Sequence, residues 1–147
     1  MNAQITTFSS TYTPRLDDKG RLTLPAQWRH LVEGGIVLTR GQDHCVFGLT
    51  PDYYNSLVEK VRQLPFTHSG ARKFSRMFFS GAAQVVPDKQ GRVAVPPTLR
   101  DWAGLDRDCA VVGVMDRFEI WDAAKWNDFE VDGADDFADG DVMPGFF

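Results

Sequence analysis

With 147 residues, 43% of them hydrophobic, the chain is long enough for one compact domain or for two small ones that share a core. Its net charge of −4 is unevenly distributed: six of the 20 acids and none of the 16 Lys and Arg lie after residue 129, so residues 1–129 carry about +2. No apolar run approaches the roughly 20 residues of a membrane span, and Met1–Tyr12 is polar without a basic residue, so we expect a cytoplasmic protein with neither a membrane segment nor a signal peptide.

A first repeat is predicted over residues 11–54, after an N-terminal extension at residues 1–10. Its segment Leu16–Pro25 reads LDDKGRLTLP. An aspartate before a tight turn accepts hydrogen bonds from backbone N–H groups two residues further on, and glycine supplies the positive φ that such a turn requires. Asp17 and Gly20 are therefore predicted to form a turn that leads into a strand.

A short helix and two strands complete this repeat. The segment PAQWRHLVEGG predicts a helix that buries Trp28 and ends at Gly34–Gly35. The following GIVLTRGQDHCVFGL predicts an apolar strand, a polar turn and a second strand.

A helical connector is predicted over residues 55–81. Thr50 caps a helix whose first residue is Pro51 and which ends at Pro65, and a second helix starts after Ser69. The second helix has an apolar stripe of Phe74, Met77 and Phe78 and a basic side of Arg72, Lys73 and Arg76. We interpret the charges as a solvated face, the alternative being a basic side near DNA. Whether the stripe packs on the core or on a neighbouring subunit stays open.

A second repeat follows over residues 82–125, and its segment PDKQGRVAVP matches the first turn at an offset of 71 residues. The matched pairs are Asp17 and Asp88, Gly20 and Gly91, Arg21 and Arg92, Leu22 and Val93, Leu24 and Val95, Pro25 and Pro96, Arg29 and Arg100. Each half therefore predicts the order strand, turn, strand, short helix, strand, turn, strand. Because a unit of about 45 residues rarely buries enough surface alone, we expect the two repeats to form one pseudo-twofold unit.

Arginine is the residue of the repeated motif that turn chemistry does not require. Strand alternation sends Arg21 and Arg92 to the outer face of their strands. Two basic hairpins of this kind fit phosphates or base edges in a groove of double-stranded DNA. The alternative is a pair of surface arginines that bond neighbouring aspartates. The candidate DNA-binding residues are Arg15, Lys19, Arg21, Arg29, Lys89, Arg92 and Arg100.

The last segment, residues 126–147, is predicted to contain the end of a final helix and then an acidic tail. From Glu130 onward the sequence is rich in Gly and Asp and has no sustained periodicity. Such a composition is typical of disorder, so we expect a disordered, solubilising tail.

The sequence offers little for catalysis or metal binding. Neither the two cysteines nor the three histidines show the close spacing of a metal site, so we expect no cofactor and two reduced thiols on strands. His30 is predicted on the exposed side of a short helix. No nucleophile elbow, P-loop or dinucleotide fingerprint is present, which argues against an enzyme or a small-molecule ligand.

Three segments, TYTPRLDDKGRLTLPAQWR, PDKQGRVAVPPTLRDWAGL and VVGVMDRFEIWDAAKW, closely resemble the MraZ family, whose members contain two SpoVT-AbrB-type repeats. The resemblance covers roughly Phe8 to Phe129. The family usually starts with Met-Phe-x-Gly, whereas here seven residues precede Phe8, and Ser10 stands at the place of the glycine.

The resemblance implies an α+β fold, the AbrB-like swapped-hairpin β-barrel, with short helices between and after the repeats. It also implies a nucleoid-associated transcriptional regulator that forms rings of many subunits and binds short direct repeats in a promoter. Members regulate the division and cell-wall gene cluster and usually repress their own operon. The family's DNA-contacting arginine corresponds to Arg21, and Arg92 is its counterpart in the second motif.

A second function remains open at this point. The same arginines would also suit a ring-forming or antitoxin-like scaffold that holds an acidic protein and binds no DNA. RNA is a weaker alternative, because aromatic residues do not interleave with the basic ones as they do in most single-strand binders.

Overall fold

The computed structural model describes residues 4–146, which form eight strands and five helices. The strands are β1 (Thr11–Tyr12), β2 (Arg21–Thr23), β3 (Ile36–Arg40), β4 (Val46–Leu49), β5 (Ala83–Val85), β6 (Arg92–Ala94), β7 (Cys109–Val114) and β8 (Arg117–Asp122). The helices are α1 (Arg29–Val32), α2 (Pro51–Arg62), α3 (Ser69–Ser80), α4 (Pro97–Ala103) and α5 (Ala123–Ala138), with single 3₁₀ turns at Ala26–Trp28 and Gln42–His44. No helix of this part of the chain is long and apolar enough to cross a membrane.

The strands form two separate antiparallel sheets. Six of them pair in the order β1-β7-β8-β4-β3-β5, and β2 pairs with β6 in a two-stranded ribbon. The predicted α+β class is confirmed. The closed barrel is not what the pairing gives, because the three-residue strands β2 and β6 bond each other and leave β1 and β5 as open edges of the larger sheet.

The two repeats exchange strands. β1 of the first repeat pairs with β7 of the second, and β5 of the second pairs with β3 of the first, while β4 and β8 pair at the centre. The strand order is therefore unchanged when the repeats are interchanged. In the ribbon Leu22 lies opposite Val93, its own equivalent in the other repeat, so the pseudo-twofold axis passes between these two residues.

The main core lies between the ribbon and one face of the larger sheet, and both repeats contribute to it. Leu22 and Val93 of the ribbon are fully buried there. Phe8, Trp28 and Phe118 add an aromatic cluster in which the ring centroids of Phe8 lie 5.2 Å from Trp28 and 5.4 Å from Phe118. Burial of each large side chain stabilises the fold by about 1.5–3 kcal/mol.

The longer helices cover the opposite face of the larger sheet. α2 and α3 pack on Val37 and Leu49 through residues such as Phe78, and α5 packs on β7 and β8 beside Trp121. α2 begins as predicted, since Thr50 Oγ1 accepts a hydrogen bond from the backbone N–H of Tyr53 and Pro51 is the first helical residue. After each repeat the chain thus places a helix on the hairpin that it has just formed.

The acidic C-terminal segment is more ordered than its composition predicts. α5 continues to Ala138, so the expectation of disorder from Glu130 onward is corrected for this stretch. The Asp122 carboxylate caps the helix by accepting from the Lys125 N–H, and Trp126 and Phe129 pack on Trp121. These contacts anchor the first half of the helix, which continues beyond Phe129 to Ala138. Residues 1–3 of the N-terminal extension and residue 147 of the tail lie outside the described residues.

Ser10 has a backbone φ of 79°, in the left-handed region that favours glycine. Phe8 and Met115 exchange two backbone hydrogen bonds, and the carbonyl of Ser10 accepts from the N–H of Gly113. The chain turns at Ser10 so that it can bond both β7 and Met115, the residue that follows β7, and a glycine would adopt this backbone conformation without strain.

Candidate nucleic-acid interface

The β2–β6 ribbon exposes one face and buries the other. Leu22 and Val93 point into the core, so Arg21 and Thr23 of one strand and Arg92 and Ala94 of the other share the outer face. Arg21 lies opposite Ala94 and Thr23 opposite Arg92. The arginines therefore occupy a diagonal of the ribbon, with backbone positions roughly 7–8 Å apart, and two small residues fill the other diagonal.

A carboxylate organises the loop that precedes β2. Asp17 Oδ1 accepts hydrogen bonds from the backbone N–H groups of Lys19 and Arg21 at 2.9 and 2.8 Å, and Asp17 Oδ2 accepts from Arg21 Nε at 2.7 Å. Gly20 takes a φ of 74°. The backbone N–H of Arg21, aided by its guanidinium, lowers the pKa of Asp17 below its ordinary value.

The loop before β6 has the same geometry within 0.1 Å. Asp88 Oδ1 accepts from the N–H groups of Gln90 and Arg92 at 2.9 Å each, and Asp88 Oδ2 accepts from Arg92 Nε at 2.7 Å. Gly91 has a φ of 80°. The backbone N–H of Arg92 likewise lowers the pKa of Asp88. The sequence repeat is thus a structural repeat down to individual bonds.

Both arginines are half-buried and paired, yet each keeps a free edge. Their side chains are 29% and 32% exposed, and the aspartate engages only Nε. The Nη1 and Nη2 groups of Arg21 and Arg92 have no hydrogen-bond partner within residues 4–146. The structure therefore contains the aspartate pairing that the sequence left as an alternative, while four N–H donors per guanidinium remain for an external acceptor.

Each loop is fastened to the other repeat. The Leu24 N–H donates to the Gly91 carbonyl at 2.8 Å, and the Val95 N–H donates to the Gly20 carbonyl at 2.9 Å. Arg100 lies over Gly20 so closely that a Cβ there would be 2.8 Å from its Cζ. Both loops are thereby held against the ribbon rather than hanging free.

The remaining candidate residues surround the two loops. Lys19 and Lys89 are exposed at the tips and form no ion pair within the described chain, although Lys89 is equivalent to Asp18, and not to Lys19. Arg29 is exposed near Gly91, and Arg15 forms an ion pair with Asp108 at 2.8 Å. The Nε of Arg100 is buried without a hydrogen-bond partner among residues 4–146.

Two equivalent grooves flank the ribbon, each between the loop of one repeat and a helix of the other. The first, of about 350 Å³, is lined by four carboxylates, Arg100 and Arg107, and the second, of about 210 Å³, by Asp88, Glu33, Arg29 and Lys89. Arg107, whose Nη2 lies 3.4 Å from Asp18, is the residue that the sequence reasoning missed. It lies outside the repeated motif, so only its place in the fold identifies it.

The thiols and imidazoles have structural surroundings. Cys45 and Cys109 are buried and reduced, and burial raises the pKa of the Cys109 thiol to about 11 and also raises the pKa of Cys45. His68 caps α3 by accepting from the Ala71 N–H, and His44 stacks on Trp102 with centroids 4.3 Å apart. His30 is exposed, and its Nε2 contacts the Ile5 carbonyl. Within residues 4–146 no three His, Cys, Asp or Glu side chains form a metal-binding group.

Comparison with known proteins gives matches over nearly the whole chain. A family model described as "MraZ protein, putative antitoxin-like" matches residues 7–77 and again residues 78–141, one match per repeat. Among similar proteins, the transcriptional regulator MraZ of Leifsonia xyli subsp. xyli is 50% identical over 95% of this chain and 99% of its own length. Those of Salinispora arenicola and Micrococcus luteus are each 48% identical, over 94% and 95% of this chain and 99% of their own lengths.

Proposed function

The chain belongs to the MraZ family of transcriptional regulators, and from this premise we propose that it binds double-stranded DNA through the outer face of the β2–β6 ribbon. The observation that carries the proposal is the ribbon itself. The major groove of B-DNA is about 12 Å wide and admits a two-stranded antiparallel ribbon. This ribbon is not hydrogen-bonded to the larger sheet and has Arg21 and Arg92 on the face that points away from the core.

The aspartates act as positioning residues in this mechanism. By holding Nε, Asp17 and Asp88 fix the plane of each guanidinium, so that Nη1 and Nη2 form a fork. Such a fork matches two acceptors at once, either the O6 and N7 atoms of a guanine or two oxygens of a phosphate. Arginines fixed in this way lose less conformational entropy when they bind DNA.

The charge around the ribbon is nearly balanced, which limits what one protomer achieves. The ion pairs Asp17–Arg21 and Asp88–Arg92 offset both central cations, and the first groove is lined by four carboxylates. We therefore propose that binding depends on a homo-oligomer, as a ring, that faces several short direct repeats in a promoter. Later contacts are then intramolecular and gain avidity.

The finer family properties extend this proposal. The exchange of strands between the repeats supports an AbrB-like swapped-hairpin fold. We propose a cytoplasmic, nucleoid-associated regulator that represses its own division and cell-wall operon and that needs no cofactor, catalytic activity or small-molecule ligand. Lys19, Lys89, Arg29 and Arg100 add phosphate contacts in this proposal, with Arg15 at the edge.

Removal of either central arginine tests the proposal. In Arg21→Ala and Arg92→Ala we expect affinity for the gene's own upstream DNA to fall by about 1–3 kcal/mol per lost contact, because each bidentate contact contributes that amount. The matched control is Arg62→Ala on α2, since Arg62 is also paired with a carboxylate, that of Glu59 at 2.7 Å, but lies away from the ribbon. Fluorescence anisotropy against salt concentration measures the effect, with a steep log–log slope expected for the wild type.

Two results would contradict the proposal in different ways. If both variants keep the fold and the assembly and bind DNA as the wild type does, the ribbon is not the interface. If the wild-type protein shifts no DNA at low salt while an acidic protein co-purifies with it at a fixed stoichiometry, the scaffold function replaces the DNA-binding function.

A further inference from the structure

A largely apolar cavity of about 640 Å³ lies between the α2–α3 pair and the β3–β4 turn, and no residue of the ribbon lines it. Leu49, Leu57 and Phe78 line it together with the indole of Trp102. Phe74 and Met77 of α3 stand at its edge and remain 39% and 42% exposed. An apolar cavity of about 150 Å³ already accommodates benzene, so this one has room for an aromatic side chain and its neighbours.

The charged residues around this cavity are mostly cations. Arg40, Lys73 and Arg117 line it against a single carboxylate, that of Asp43. Arg117 is paired with Glu119 at 3.0 Å, whereas neither Arg40 nor Lys73 has a carboxylate within ion-pair distance among the described residues. The Arg40 guanidinium bonds the Met77 carbonyl and lies over Trp102, so its charge is held at the rim. The cavity therefore suits an apolar group flanked by acids.

The distal half of α5, residues 130–138, presents an apolar side chain with acidic residues on both sides. At 3.6 residues per turn, Trp126, Phe129, Gly133 and Phe137 share one helix face. Trp126 and Phe129 pack on Trp121 of the same chain, but Phe137 lies about 12 Å further along the axis and is 67% exposed. Acidic residues flank this face, and every residue from Glu130 to Ala138 is exposed.

This half of the helix is poorly stabilised within its own chain. It contains Gly133 and four acids, Glu130, Asp132, Asp135 and Asp136, and the acids near its C-terminus interact unfavourably with the helix dipole. Most helical stability in proteins comes from packing of one face, and here the face continues past Phe129 to Phe137, which is largely exposed within the described residues. A surface that covers Phe137 and neutralises the acids would stabilise it.

We propose that the distal half of α5 of one copy docks in the 640 Å³ cavity of a second copy, with Phe137 in the apolar part and Asp136 beside Lys73. The inference rests on the homo-oligomer of the proposed function and identifies its contact. No residue of α5 lines the cavity, so the helix end and the cavity are two different sites of each copy, and a contact between them is heterologous. Contacts of this type repeat from copy to copy and close into a ring when the rotation allows.

Two complementary variants test the contact. The helix variant is Asp136→Lys with Phe137→Ala, and the cavity variant is Lys73→Glu with Met77→Ala. We expect each alone to lose assembly in sedimentation velocity, because each has one defective side of the contact. Matched controls are Asp128→Lys, on the opposite face of α5, and Lys60→Glu, exposed on α2, and both should assemble as the wild type does.

Mixing gives the sharpest result. An equimolar mixture of the two variants should form dimers and nothing larger, since only the helix end of the cavity variant and the cavity of the helix variant are intact. A single chain with Lys73→Glu and Asp136→Lys should regain assembly, because the charges are exchanged. Circular dichroism and urea unfolding verify that every variant is folded.

Other outcomes overturn the inference. Loss of assembly in the helix variant alone means that two α5 helices pair with each other, and loss in the cavity variant alone means another occupant. Wild-type assembly in both places the contact elsewhere. A short duplex with one promoter repeat separates these results from failure of the proposed function: both variants should bind it as tightly as the wild type, whereas Arg21→Ala should not.

Discussion

Asp17 and Asp88 each accept three hydrogen bonds, two from backbone N–H groups and one from a guanidinium Nε. All three donors favour the ionised carboxylate, and the backbone bonds from Arg21 and Arg92 are the foremost cause of the lowered pKa values. A carboxylate of this kind organises its loop only while it is charged.

The folded state should therefore lose stability in acid through these two residues. Their pKa values are lower in the folded chain than the ordinary value of 3.8, so their contribution is fully present above pH 3.8 and disappears as the pH falls through the folded values. The variant Asp17→Asn with Asp88→Asn should be less stable than the wild type near neutral pH, and the difference should narrow below pH 3.8. Urea unfolding across this range measures it, and a difference that does not change with pH would contradict the assignment.

Ser10 is a site where a single change should stabilise the protein. An L-residue in the left-handed region costs roughly 1–2 kcal/mol, and glycine avoids that cost while adding some entropy to the unfolded chain. For Ser10→Gly we expect the free energy of unfolding to rise by about 0.5–1 kcal/mol. The neighbouring Ser9→Gly is the control, because Ser9 has no positive φ to relieve and should lose stability. Chemical denaturation of both variants gives the comparison, and no gain for Ser10→Gly would mean that the backbone there is unstrained.

Turn chemistry could be predicted from single residues because an aspartate and a glycine at fixed spacing act locally. The partner of each arginine could not be decided in the same way. Arg21 and Asp17 are four residues apart. At this separation the two side chains can either form an ion pair or point in different directions, and the conformation of the loop determines which of the two occurs. Arg107 joins the first groove through a bond to Asp18, 89 residues away, which no local signal indicates.

The elements themselves followed from pattern more reliably than their pairing. Periodicity and caps predicted α2 between Thr50 and Pro65, and the structure ends it at Arg62. The alternation of apolar and polar residues predicted that β2 and β6 are strands. A three-residue strand is too short for its sequence to indicate which strand it pairs with. Their union in a separate ribbon depends on burial of Leu22 against Val93, a contact between the two repeats.

α5 shows how composition misleads about an element. Gly and Asp from Glu130 onward are typical of disorder, yet the Asp122 cap and the aromatic contacts of Trp126 and Phe129 start a helix that runs on through the acidic stretch. Nucleation is the costly step of helix formation, and once it is provided the helix extends by one backbone hydrogen bond per added residue. The composition correctly indicated that the acidic stretch has a low helix propensity of its own. It gave no information on the Asp122 cap and the aromatic contacts that hold the start of the helix.

The two repeats are held together because each contributes an edge strand to the other's part of the larger sheet. Every edge strand of the larger sheet bonds the opposite repeat, and the core takes side chains from both. Fragments 1–81 and 82–147 should therefore lack a cooperative unfolding transition as monomers, because each would expose half of one core.

Mixing the two fragments should restore the transition and the near-ultraviolet circular dichroism of the intact chain. The two signals distinguish true reassembly from collapse, since a fixed environment for Trp28 and Phe118 requires both halves. A single fragment that unfolds cooperatively as a monomer would show that the repeats are independent domains.

The palindromic strand order is the arrangement that two identical half-length chains would reach around a true axis. Because both repeats are parts of one chain, their sequences need not be identical. The two loops do differ: Asp18 and Lys19 in one stand where Lys89 and Gln90 stand in the other. The ribbon consequently has a polarity, with one end richer in acids. If the ribbon binds DNA as we propose, its unequal ends would distinguish the two directions along a duplex, which suits targets that are arrayed head to tail and not mirrored.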